Sequence, residues 1–237
     1  MAHPQDPERI ARMFSAIARR YDLANHVLSF NQDKRWRKFL VNLAAPQSNE
    51  RLLDVATGTG DIAIAFAQTV LDLKITGLDI SPGMLGVAAQ KLKNLKLSER
   101  VTLIEGNALT LPFSDESFEI VTIGFGLRNL PDRARGIAEM SRVLGPSGRL
   151  LMLEFSAPLN TLWRNIYLFY LGKMLPWCGG LLTGSRKPYE YLRDSIRAFP
   201  ERGSITQLMN AQGFEHISLH ELNGGLATIY QGHKSRR

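Results

Sequence analysis

From Arg51 to Ala67 the chain reads RLLDVATGTGDIAIAFA: a short apolar run, a polar glycine turn, and a second apolar run of helix-forming residues. A near-continuous run such as Leu52, Leu53, Val55 and Ala56 reads as a strand buried on both faces, as in a parallel sheet. The alternation recurs downstream. Leu73–Leu78, Val101–Glu105, Glu119–Ile123 and Arg149–Phe155 read as four more strands. Between them, Ser81 with Pro82 opens one helix, Asp132 caps another running to Leu144, and Gly145-Pro146-Ser147-Gly148 reads as a turn. Alternating strands and helices over 51–155 predict an α/β protein with a Rossmann-like, doubly wound, mostly parallel sheet. A helix from Ser204 to Gln212 then leads to Phe214–Leu219 and Ala227–Gly232, which predict a C-terminal antiparallel hairpin around an NGG turn.

Outside that core the period changes. Pro7 to Arg20 predicts an amphipathic helix with Ile10, Met13, Phe14 and Ile17 on one face. Residues 21–44 predict two short helices with a turn at Asn31-Gln32, so that 1–46 form an N-terminal helical cap. Residues 156–200 are dense in Trp, Tyr, Phe and Leu but interrupted by Arg164, Lys173 and Pro176. They read either as core-packing helices or as an amphipathic surface that meets lipid or a lipid-tailed substrate. The organisation expected is one domain over 1–237: cap (1–46), cofactor-binding core (51–155), helical insertion (156–200), and terminal helix and hairpin (201–237).

Composition narrows this only a little. With 237 residues, 44% hydrophobic and 22% charged, the chain is long enough for one sizeable core. A net charge of +7 calls for an anionic partner. The basic residues are scattered and carry no nucleic-acid motif, so an anionic membrane surface is expected rather than nucleic acid. The single Cys178 excludes a disulfide framework, and His26, His216, His220 and His233 show no metal spacing, so no metal is expected. Without a secretory signal or an apolar run long enough to span a bilayer, a cytoplasmic protein is expected, peripheral on the inner face of the membrane. A homodimer is left open.

The glycine turn carries the candidate chemistry. Gly58, Gly60 and Ala63 satisfy a G-x-G-x-x-A pattern, and Asp79 ends the next strand about 20 residues on. An acidic side chain there can accept hydrogen bonds from both hydroxyls of an adenosine ribose. Nicotinamide dinucleotide and S-adenosylmethionine both fit, and so does a glycine turn without ligand. Asp61, just past the turn, is a candidate contact to a cofactor amino group or a water, or a helix cap. Arg128 and Asn129 follow the end of a strand, where α/β sites lie; the guanidinium can meet developing negative charge, or form a salt bridge within a turn.

Three longer stretches carry a more specific signal: FSAIARRYDLANHVLSF…RW, GFGLRNLPDRARGIAEMSRVLGPSGRLLMLEFS, and YEYLRDSIRAFP with GFEHISLHELNGGLATI. With DVATGTGD and Asp79 they resemble a class I S-adenosylmethionine methyltransferase. More narrowly, they resemble the ubiquinone/menaquinone biosynthesis C-methyltransferases, over nearly the whole chain. The resemblance implies S-adenosyl-L-methionine as cofactor and methylation of a ring carbon of a prenylated quinol, demethylmenaquinol to menaquinol first. It implies Gly58, Thr59 and Gly60 at the methionine end, Asp79 at the ribose, Asn107 and Ala108 at the adenine edge, and Gly124 beside the cofactor. It implies Arg128, Asn129, Tyr21 and Asp61 as the catalytic set. The chain departs from the family pattern at four places. The family has Asn-Asp at Asn25-His26, Gly-x-His-Arg at Asn31–Lys34, often Ser at Gly124, and Lys-Pro-Gly-Gly at Gly145–Gly148. Two other classes stay open from the residues alone: a nicotinamide oxidoreductase, and a non-catalytic lipid-binding protein on the same fold.

Overall fold

The computed structural model describes residues 7–29, 31–183 and 186–235. Strands β1 (Arg51–Val55), β2 (Lys74–Asp79), β3 (Val101–Glu105), β4 (Phe118–Gly124) and β5 (Leu144–Phe155) are parallel. β6 (Phe214–Leu222) and β7 (Ala227–Lys234) complete a seven-stranded sheet in the order β3-β2-β1-β4-β5-β7-β6. β7 lies antiparallel between β5 and β6, as the hairpin pattern predicts. The central strands are apolar throughout because both faces are covered. Leu52, Ile120 and Leu151 belong to the cluster on one face, and Leu53, Val121 and Leu150 to the cluster on the other. The strand order reverses between β1 and β4, and in an open α/β sheet that switch point opens a crevice at the carboxyl ends of the strands.

The helices follow from local chemistry. α3 (Asp61–Ala67) starts on Gly60, and α4 (Pro82–Asn94) is capped by the Ser81 hydroxyl, which accepts the Met84 N–H at 3.3 Å. α5 (Arg133–Val143) is capped by Asp132, and α9 (Arg202–Ala211) precedes the hairpin. The stretch Gly145–Gly148, expected to be a turn, is instead the irregular start of β5. The pairing of β4 with β5 shifts register between Phe118 and Ile120, which absorbs the extra residues.

The cap holds two helices rather than three. α1 runs unbroken from Pro7 to Leu28, through the break expected after Arg20, and α2 spans Gln32–Ala44. Nothing between Arg20 and Tyr21 stops a helix; the real stop is Asn31, whose φ of 58° suits a short polar side chain. α1 packs on α4, and Trp36 of α2 donates to the Asn223 side chain in the β6–β7 turn at 2.6 Å. α6 (Thr161–Phe169), a π-helical turn (Tyr170–Met174), α7 (Leu175–Thr183) and α8 (Lys187–Arg197) form a separate layer with its own apolar cluster of Tyr167, Leu171, Leu175, Tyr189 and Ile196. Among the described residues no helix is long and apolar enough to cross a membrane.

Candidate active site

The switch point holds a cavity of about 140 Å³ walled by the β1–α3 turn, the end of β2 and the loops after β3 and β4. The turn is held from below by Asp54, buried inside β1. Its carboxyl accepts the hydroxyls of Thr57 at 2.6 Å and Thr122 at 2.8 Å, and burial pushes it up to about 6. Asp79 sits across from Gly58. One oxygen accepts the Gly58 N–H and the other the Ser81 N–H, each at 2.8 Å. Burial pushes the Asp79 carboxyl up as well, against these backbone donors. Each of its oxygens keeps a lone pair for a further donor.

The wall of this cavity fits an adenosine-containing cofactor. Gly58 has a φ of 57°, and a Cβ there would meet nothing within 4 Å, so the backbone conformation favours glycine and leaves space beside the turn. Gly58, Thr59, Asp61, Asp79, Asn107, Ala108, Gly124 and Asn129 all line this one cavity. A Cβ at Gly124 would fall 2.2 Å from Ile62 Cδ1, so Ile62 occupies the room that a serine would need. S-adenosylmethionine would be held by Asp79 through its ribose hydroxyls, by Gly58 and Thr59 at its methionine end and by Asn107-Ala108 at its adenine edge; Gly60, also expected at the methionine end, faces Ala88 of α4 instead and is not part of the cavity wall.

Beside it lies a second, larger cavity of about 420 Å³, between the cap and the α6–α8 layer. Its wall is apolar and aromatic: Ile17, Trp36, Phe155, Tyr167, Leu171 and Tyr191 are representative. Phe14, Arg37 and Phe125 line both cavities, so the two meet there. Arg128 lines the second cavity and is 2% exposed. Its Nη1 bonds Glu154 Oε1 at 2.8 Å, its main-chain N–H bonds the other Glu154 oxygen at 3.1 Å, and Nη1 also donates to the Phe125 carbonyl. Of the two readings open for Arg128, the salt bridge in a turn is formed. Asn129 accepts the Tyr191 hydroxyl at 3.0 Å, which links the cofactor cavity to the second one. Tyr21 lies on α1, and its side chain is outside the described residues.

Asp61 is the first residue of α3 rather than its cap, and it pairs with Lys91 and with Arg37, the latter at 3.0 Å. Lys91 also reaches Asp22 at 2.7 Å, and Thr59 donates to Asp22 at 2.5 Å. Arg37 continues the chain of charges to Asp33 at 2.7 Å, which accepts Ser29 at 2.7 Å and pairs with His26 Nδ1 at 2.6 Å. His26 and Asp33, at two of the places where the sequence departs from the pattern it resembles, meet here as one pair. His26, Asp33 and Asp61 also approach one another closely enough to suggest a metal site, but the Arg37 guanidinium binds both acids. Asp33, Arg37, Asp22 and Lys91 are absent from the expected site, because they come from three separate helices, α2, α1 and α4, and no local pattern joins them.

Residues 3–234 match the ubiE/COQ5 methyltransferase family. A ubiquinone/menaquinone biosynthesis C-methyltransferase of Geotalea daltonii is 42% identical over 96% of this chain and 97% of its own length. The protein of that name from Shewanella halifaxensis is 38% identical, over 95% and 90%. Among solved structures, an S-adenosylmethionine-dependent methyltransferase of Thermotoga maritima has a TM-score of 0.65 at 20% identity, covering 94% of this chain and 99% of that one. A phosphoethanolamine N-methyltransferase of Haemonchus contortus, in complex with S-adenosyl-L-methionine, has a TM-score of 0.63 at 15% identity, over 85% and 52%. The structural likenesses show the fold, and the sequence matches show the family. The chain belongs to the ubiE/COQ5 methyltransferase family and is an S-adenosylmethionine-dependent C-methyltransferase.

Proposed function

We propose that this protein methylates a ring carbon of a prenylated quinol, with demethylmenaquinol as the substrate and menaquinol as the product. The observation that carries the reading is the apolar second cavity, which meets the cofactor cavity at Phe14, Arg37 and Phe125. An aromatic head group seated at that junction has its ring facing the cofactor and its isoprenoid tail among apolar side chains.

S-adenosylmethionine, when bound, supplies an electrophilic methyl group on a sulfonium sulfur. The residues of this chain have to bind, align and activate the other reactant. Phe14 and Phe125 confine the ring between the cavities. Asn129 and Tyr191 form a polar link across the junction that can orient a quinol hydroxyl. Arg128 has its charge matched by Glu154, so it serves by anchoring the Phe125–Asn129 loop and by hydrogen bonding, rather than as a free cation beside a quinolate.

The substrate's tail keeps it in a bilayer, and the outer face of α6 and α7 is suited to dock on one. Leu162, Ile166, Phe169 and Trp177 are 72%, 50%, 63% and 56% exposed along one helical run. Ile166 and Phe169 also line the second cavity, so its mouth lies within this patch. Arg164 and Lys173, both exposed, flank it. Each basic residue near an anionic surface is worth about 1 kcal/mol. This supports peripheral, reversible contact with an anionic membrane.

Deleting the gene and profiling the quinones of the strain tests the function. Demethylated quinones should accumulate, and the gene should restore the methylated form; an unchanged profile contradicts the proposal.

A further inference from the structure

Resting on that reading, we propose that Asp33 accepts the proton of the quinol hydroxyl, with His26 and Ser29 as positioning residues. Among the described residues lining the second cavity, Asp33 is the one carboxylate, and no histidine lines it. It is 3% exposed and lies on α2 one turn before Arg37, which lines both cavities and binds the same carboxylate at 2.7 Å. A hydroxyl brought to Asp33 is therefore beside the junction where ring and cofactor meet, with a guanidinium at hand for the charge that forms on oxygen.

The carboxylate is built to stay ionised. Burial alone raises it, but Ser29, Arg37 and His26 together outweigh burial and hold Asp33 below the usual carboxylate range. The tyrosines of the same wall make poor proton acceptors, since burial pushes the hydroxyls of Tyr167 and Tyr191 up. The surrounding titratable and charged groups run from His26 and Arg37 through Asp61 to Lys91 and Asp22; Arg128 and Tyr191 also line the second cavity, with Glu154 behind Arg128.

The step balances. The O–H bond breaks and its proton goes to Asp33, while the electron pair left on oxygen strengthens the ortho carbon. That carbon forms a bond to the methyl group as the methyl–sulfur bond breaks, its pair staying on sulfur. The ring-carbon hydrogen is lost to water as the net proton of the reaction, and Asp33 returns its proton to the oxygen.

The test is Asp33→Asn, which keeps the shape and loses the basicity. Turnover should fall about 100-fold or more. KM for the quinol and affinity for S-adenosylhomocysteine should stay within about threefold. The residual kcat should climb about tenfold per pH unit toward alkaline pH, as the quinol ionises on its own. A structural role would not produce that slope. Turnover in the folded variant within about threefold of wild type, or a kcat that stays flat with pH, overturns the assignment. If Asp33→Asn does not fold, His26→Asp with Asp33→His carries the test by exchanging the two members of the pair in place. Its acid limb should move up toward the imidazole range; an unmoved limb overturns the assignment. A wild-type protein that methylates no prenylated quinol would instead refute the functional reading, and that control is read first.

Discussion

Replacing Arg128 by Met would remove the cation from a pair whose members are 2% and 0% exposed. Glu154 would keep two donors, the main-chain N–H groups of Arg128 at 3.1 Å and Phe155 at 2.9 Å, so its charge would be solvated only in part. Leaving one partner of a buried pair behind costs about 3–5 kcal/mol. For a chain of this size that is about 6–20 °C in Tm. Urea unfolding of wild type and variant measures the deficit, and Arg128→Met with Glu154→Gln should recover most of it, because the neutral amide leaves no uncompensated charge behind. A deficit below about 1 kcal/mol for Arg128→Met, or no recovery in the double variant, would refute the claim that Arg128 and Glu154 hold each other as a buried ion pair.

Asp79→Ala removes the acceptor facing the cofactor cavity, and charge-assisted hydrogen bonds of about 1.5–3 kcal/mol predict a 10- to 100-fold loss of affinity for S-adenosylhomocysteine by calorimetry. Asp54, raised to about 6, should cost the wild type about 3 kcal/mol as pH rises from about 3 to about 7. The stability difference between wild type and Asp54→Asn should shift by that amount over that window and be level above it. Trp163→Ser with Trp177→Ser should weaken salt-sensitive flotation on anionic liposomes, and no binding of the wild type at low salt would rule out docking by α6 and α7.

What could be read from the sequence was set by short range. Residues 51–79 declare their strands because a strand covered on both faces is apolar throughout, and the glycine turn and Asp79 follow within one βαβ unit. The two-helix cap was less legible, since the helix-breaking conformation sits on Asn31 and not in any Pro or Gly near Arg20. The second cavity was legible only in part: the aromatic stretch after Pro158 reads as a surface for lipid or a lipid-tailed substrate, and its residues do line the cavity, but the opposite wall is not readable. The cavity exists because α1, α2, α6, α7 and α8 meet over the end of the sheet, and no local pattern records that meeting. For the same reason no local pattern joins Asp33 and Arg37, an i, i+4 pair on α2, to Asp61 and Lys91, which arrive from α3 and α4.

Single turnover of the purified protein with trideuteromethyl-labelled S-adenosylmethionine and a short-tailed demethylmenaquinol tests the two-cavity account most directly. Mass spectrometry should find the trideuteromethyl group bonded to a ring carbon of the quinol. A label on oxygen, on the protein, or left on the cofactor would contradict it.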